Sequence, residues 1–152
     1  MATDEPVAVL LVEDNADHEE LIRRALDERR APVVLRVARH GEEALDYLLR
    51  RGEWCDPERS PRPRLVLLDL RLPRIDGFQV LEAVKTNPAL ADIPVVILTT
   101  SESEHDMARA YERHANSYLV KPVDHVRFSE LVASVESYWL ELNRQPVVVG
   151  AG

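Results

Sequence analysis

The stretch VLLDLRLPRIDG, Val66 to Gly77, decides the fold. Three apolar residues, Val66, Leu67 and Leu68, run straight into Asp69, and Pro73 and the Asp76-Gly77 pair then break the chain. A short apolar run with no polar residue reads as a strand buried on both faces. A carboxylate at the end of such a strand needs a partner, because an ion buried alone costs several kcal/mol or is forced to neutralise.

The same grammar extends in both directions. Val7 to Val12 reads as a fully buried strand, and Asp17 to Arg30 as a helix with Leu21, Ile22, Ala25 and Leu26 on one face. Pro32 opens a second strand through Val37, and Gly41 precedes a helix carrying Ala44, Leu45, Leu48 and Leu49. After the third strand, Leu65 to Leu68, the residues Phe78, Leu81 and Val84 mark a helix that Asn87-Pro88 ends. Ile93 to Leu98, Glu102 to Arg113, Tyr118 to Val120 and Val126 to Leu142 complete the alternation. Five strand–helix units imply an α/β fold: a doubly wound, five-stranded parallel sheet in flavodoxin-like order. In such sheets ligands bind outside the carboxyl ends of the strands.

The 152 residues suit one domain over 1–152, with a core of about 7–143. Arg50 to Arg64, RRGEWCDPERSPRPR, reads as an extended loop, and 145–152 as a flexible tail. The net charge of −8 argues against a nucleic-acid surface. The single cysteine, Cys55, cannot form an internal disulfide and reads as a bystander thiol in a reducing compartment. The N-terminus shows no signal-peptide pattern and no apolar stretch is long enough to span a bilayer, so the expectation is a cytoplasmic protein without membrane or nucleic-acid partners.

Polar residues at the strand ends carry the chemistry. Strand one ends in Glu13 and Asp14, strand three in Asp69 and strand four in Thr99, and strand five runs into Lys121-Pro122. Three gathered carboxylates repel one another. A divalent cation removes the conflict: Mg²⁺ suits carboxylates and water, with Mn²⁺ or Ca²⁺ able to take its place. A carboxylate can also attack phosphorus to give an aspartyl phosphate. Mg²⁺, Lys121 and the Thr99 hydroxyl would then meet the charge on the phosphoryl oxygens. Only two of the 19 basic side chains are lysines, Lys85 and Lys121, so a lysine after strand five stands out in an arginine-rich chain.

Four segments in this order, VEDN at 12–15, LLDLRLPRIDG at 67–77, VVILTTS at 95–101 and YLVKP at 118–122, resemble the motifs of response-regulator receiver domains. The resemblance covers Val7 to Asn143 and implies the (βα)5 receiver fold. It implies that Asp69 is the phospho-accepting aspartate, that Glu13 and Asp14 organise the metal with Asp69, and that Arg71 supplies a backbone carbonyl ligand. It further implies that Thr99 is the switch hydroxyl, Tyr118 the aromatic rotamer switch, and Lys121 the family's lysine, joined to Pro122 by a cis peptide. Glu-Asp replaces the Asp-Asp pair common in the family and keeps both charges.

The long loop, the LTTS sequence and the long last helix are similar to single-domain regulators paired with bacterial phytochromes. The implied function is a stand-alone two-component response regulator, a phosphoacceptor rather than an enzyme. A sensor histidine kinase, of phytochrome type on this resemblance, would donate the phosphoryl group. Homodimerisation is expected through the surface of helix four, strand five and helix five, with Tyr138 and Trp139 as the partner face. The alternatives are a phosphorelay intermediate or an unphosphorylated pseudo-receiver serving as an interaction module. A flavodoxin-like nucleotide binder would need a glycine-rich loop after strand one, and VEDNAD has none. A phosphatase with an aspartate nucleophile would want a carboxylate where Arg71 stands.

Four smaller readings complete the picture. The five histidines, His18, His40, His105, His114 and His125, lack metal-ligand spacing and read as surface residues. Gly77 reads as a turn residue chosen for its φ angle. Tyr138 and Trp139 are helix neighbours, so only one can face the core. Arg71 and Thr100 stand where side chains can gate water.

Overall fold

The computed structural model describes residues 7–28 and 32–144. The expected tail at 145–152 lies outside them, as does the end of the first helix at Arg30. Five strands, β1 (Val7–Val12), β2 (Val33–Ala38), β3 (Leu65–Leu68), β4 (Val95–Thr99) and β5 (Ser117–Val120), alternate with α1 (Ala16–Asp27), α2 (Gly41–Leu48), α3 (Gly77–Lys85), α4 (Glu104–Glu112) and α5 (His125–Glu136). All strand pairs are parallel, in the order β2-β1-β3-β4-β5. The doubly wound, flavodoxin-like sheet expected from the alternation is the one found.

Strand alternation divides the core in two. Leu10, Val12, Val66, Leu68, Val95 and Ile97 face one side, where α2, α3 and α4 cover them through Leu48, Leu81, Val84 and Ala110. Val9, Leu11, Leu65, Leu67, Val96 and Leu98 face the other, against Ile22 and Leu26 of α1 and Phe128 and Val132 of α5. Burying each such side chain contributes roughly 1.5–3 kcal/mol, so a one-residue slip of any central strand would exchange its two faces and is strongly disfavoured.

Side-chain caps start the helices where the chain leaves the sheet. Asn15 accepts from the backbone N–H groups of Asp17 and His18, and Asp76 forms a capping box with Gln79. Ser103 and Asp124 cap α4 and α5. The last helix departs from a single α-helix over Val126 to Leu142, because Ser137–Leu142 winds as a π-helix. There Tyr138 is half-exposed, whereas Trp139 packs on the α1–α5 side of the core, so the two rings divide as neighbouring helix positions must. Only Tyr138 of the expected partner face is therefore openly presented.

The loop over 50–64 is tied down rather than loose. Tyr47 donates its hydroxyl to the Pro61 carbonyl, Ser60 is buried and bonded to the Trp54 carbonyl, and the Trp54 ring lies 5.2 Å from that of Tyr47. Cys55 is exposed on it. Among the described residues, no helix is long and apolar enough to cross a membrane.

Gly77 does not serve the expected purpose. Among the described glycines only Gly52 has a positive φ. A Cβ on Gly77 would lie 2.4 Å from the Asp69 carbonyl oxygen and 2.6 Å from Leu70 Cα. The residue is needed for close approach of α3 to the end of β3, directly beneath Asp69.

Candidate functional site

The sheet register brings the strand-end residues together. Val12 pairs with Leu68, so Glu13 and Asp69 leave the sheet side by side. The ladder continues one residue past the strands: Glu13 donates its N–H to the Ala38 carbonyl at 2.9 Å, Asp69 to Val12 at 3.1 Å, and Lys121 to Thr99 at 2.7 Å. These bonds hold the three functional backbones as firmly as strand residues.

Glu13, Asp14 and Asp69 place carboxylate oxygens within 4.8 Å of one another. Glu13 and Asp69 are buried, while Asp14 is exposed. Hard oxygen donors at this separation, one open to water, fit a hydrated divalent cation. The Lys121 ammonium lies between the two buried carboxylates, 2.9 Å from Asp69 Oδ2 and in direct contact with Glu13 Oε1. The other oxygens are held as well: Asn15 N–H donates to Glu13 Oε2 at 3.2 Å and Arg71 N–H to Asp69 Oδ1 at 3.2 Å. Burial pushes the Glu13 carboxyl from its ordinary 4.5 up to about 7, even though Lys121 draws it down.

Lys121 has a further partner that the sequence reading missed. His18 Nδ1 lies 2.9 Å from the ammonium, and its ring sits 5.4 Å from that of Phe128. Burial and the Lys121 charge both lower the His18 pKa. The expectation of a surface histidine is therefore corrected: the first turn of α1 carries this side chain over the carboxyl end of the sheet. The only sequence signal was the Asn15 cap, which fixes where that turn begins.

The opposite flank is a chain of hydrogen bonds. Thr99 is fully buried, and its Oγ1 accepts weakly from Ser101 N–H at 3.4 Å. Ser101 Oγ donates to Asp106 Oδ2 at 2.6 Å, and Arg71 Nη2 reaches the same oxygen at 2.9 Å. Tyr118 points inward and donates its hydroxyl to the Ser101 carbonyl at 3.0 Å, while its own N–H donates to the Tyr111 hydroxyl. Burial raises the Tyr118 pKa. Asp106 and Ser101 were not among the expected site residues. Asp106 had no signal beyond an acidic place in the first turn of a helix.

One expectation fails outright. The Lys121–Pro122 peptide is trans, as all peptides among the described residues are. Trans is the ordinary state of an X-Pro bond, favoured by about 0.5–1 kcal/mol, and here it delivers Lys121 to both carboxylates.

Comparison with known proteins identifies the family. Residues 9–134 match the family model of the response regulator receiver domain. The chain is 45% identical over 147 residues to the "Probable methanogenesis regulatory protein FilR2" of Methanothrix harundinacea, covering 96% of this chain and 92% of that one. It is 43% identical over 136 residues to the response regulator Rcp1 of Synechocystis, covering 90% of each, and a Mn²⁺-bound form of Rcp1 superposes with a TM-score of 0.87, at 42% identity over 93% of this chain and all of that one. The phosphorylated cyanobacterial phytochrome response regulator RcpA superposes with a TM-score of 0.90 at 37% identity, covering 94% of this chain and 100% of that one.

Proposed function

This chain belongs to the response regulator receiver domain family, and on that footing we propose that it is a stand-alone switch that accepts a phosphoryl group on Asp69 from a sensor histidine kinase of phytochrome type. The observation that carries this reading is the Lys121 ammonium 2.9 Å from Asp69 Oδ2 at the rim of the acidic trio. The phytochrome pairing is supported by the likeness to RcpA and Rcp1 over nearly the whole length of each.

A carboxylate oxygen of Asp69 attacks the phosphorus of the donor phosphohistidine, the P–N bond breaks, and the imidazole leaves. Glu13, Asp14, Asp69 and the Arg71 carbonyl would hold a divalent cation, which supplies positive charge for the phosphoryl oxygens. Lys121 turns an N–H from Asp69 Oδ2 toward the transferred group and neutralises part of its charge. Thr99 stands at the end of the neighbouring strand, where its hydroxyl donates to another phosphoryl oxygen. Moving Thr99 releases Ser101 N–H, and Ser101 is the residue that Asp106 and Tyr118 hold. The α4–β5–α5 surface responds, and we place a homodimer contact there. Exposed apolar side chains on or next to these elements include Tyr111 of α4, Val123 between β5 and α5, Val126 of α5 and Tyr138 just beyond it.

Incubation with a small phosphodonor and Mg²⁺, followed by mass measurement, tests the assignment. Wild type gains one phosphate and Asp69→Asn gains none; equal labelling of both, or none on wild type, overturns it. Light scattering tests the dimer: a species of only monomer mass at high concentration, with and without the phosphodonor, removes that part of the reading.

A further inference from the structure

We propose that His18 is a positioning residue, which fixes the direction of the Lys121 ammonium toward Asp69. This rests on the phosphoryl-accepting role assigned to Asp69 above.

The argument is one of valence. An ammonium carries three N–H donors and no acceptor. The Lys121 side chain is only 1% exposed, so water does not complete its shell. Three acceptors surround it: Glu13 Oε1, Asp69 Oδ2 at 2.9 Å and His18 Nδ1 at 2.9 Å. Each N–H therefore has one partner. Because an ammonium can only donate, His18 Nδ1 must be the unprotonated nitrogen, and the ring proton sits on Nε2.

An imidazole suits this place better than a further carboxylate. It accepts a hydrogen bond without adding negative charge to a site that already gathers Glu13, Asp14 and Asp69. Without it, one N–H would be left buried and unsatisfied, and the ammonium would be drawn toward Glu13. When Asp69 carries a phosphoryl group, Lys121 must redirect the N–H now given to Oδ2. The His18 bond then holds the ammonium above the strand end and opposes the pull of Glu13. Backbone and ring are both held: Asn15 accepts from the His18 backbone N–H at 3.1 Å, which fixes the turn the side chain leaves from, and the ring packs at a tilt against Phe128 of α5. Helices α1 and α5, which pack together on the face away from α4, thus reach the site through one residue.

The test uses the full chain with His18→Asn, whose amide oxygen takes the place of Nδ1, and His18→Leu, which keeps the packing on Phe128 but accepts nothing. In the unphosphorylated protein, ¹⁵N NMR should show the His18 ring protonated on Nε2 alone; a proton on Nδ1 overturns the proposal whatever the phosphorylation chemistry does. With acetyl phosphate and Mg²⁺, His18→Leu should label about tenfold more slowly, the usual scale for losing a group that orients a site residue, while His18→Asn should stay close to wild type. Equal rates for Leu and wild type, or equally slow rates for Leu and Asn, overturn it. If wild type does not label at all, the phosphoacceptor reading fails, and the NMR result still decides how Lys121 is held.

Discussion

On one flank of Asp69, Lys121 and Glu13 are shut almost wholly from water, their side chains 1% and 2% exposed. On the other, Arg71 leaves 69% of its side chain in solvent while it holds Asp106. The first flank is anchored at the ends of β1, β3 and β5 and on the packed α1–α5 face, and each N–H of its buried ammonium has an acceptor. The second is a relay of single hydrogen bonds from Thr99 through Ser101 to Asp106 and Tyr118, with the solvent-exposed Arg71 paired to Asp106 at its edge. Buried ion pairs are costly to break, whereas exposed pairs and single hydrogen bonds contribute about 1 kcal/mol or less. A switch needs both: a rigid side that holds the reacting group, and a soft side that can rearrange at small cost.

The largest expected effect is on the rigid flank. Lys121→Met leaves Glu13 and Asp69 buried beside each other without a cation, and should cost about 3 kcal/mol in denaturant unfolding with chelator present. A loss below about 1 kcal/mol would mean that this flank is no firmer than the other. Next comes Gly77→Ala, whose Cβ would sit 2.4 Å from the Asp69 carbonyl oxygen. Forcing α3 off the end of β3 should cost about 2 kcal/mol and slow labelling of Asp69, and an unchanged denaturation midpoint would contradict the close-approach role.

A third prediction concerns pH. The native Glu13 carboxyl titrates at about 7, above its ordinary 4.5, so the native protein holds a proton there that the unfolded chain has lost. Stability in chelator should therefore fall as pH rises through that window. Glu13→Gln should flatten this dependence, and a wild-type profile that rises between those limits would contradict it. The smallest effect belongs to the soft flank: Arg71→Ala should change stability by no more than about 1 kcal/mol yet speed amide exchange at the start of α4. A larger loss would erase the contrast between flanks.

Most of the architecture was legible because it rests on local pattern. Apolar runs such as Val66 to Leu68 announce buried strands, and a carboxylate or lysine at their ends marks the ligand edge without further information. What escaped was set by distance or by backbone approach. His18 and Lys121 are 103 positions apart, and no spacing in the chain says that the first turn of α1 would overhang β5. Asp106 looked like an ordinary first-turn acid until α4 docked beside Arg71. Gly77 was read for its φ angle, although the constraint is the carbonyl packed against its Cα. The cis bond before Pro122 was carried over from the family resemblance, and the bond is trans. Side-chain division at Tyr138 and Trp139, by contrast, followed from helix geometry alone.

The contrast between the two flanks is tested most directly by hydrogen exchange, with and without Mg²⁺ and beryllium fluoride as a phosphoryl mimic. The prediction is that exchange changes over 99–118, from Thr99 through α4 to Tyr118, while α1 and the β1 ladder stay as they were. Changes concentrated in α1, with 99–118 unaffected, would contradict it.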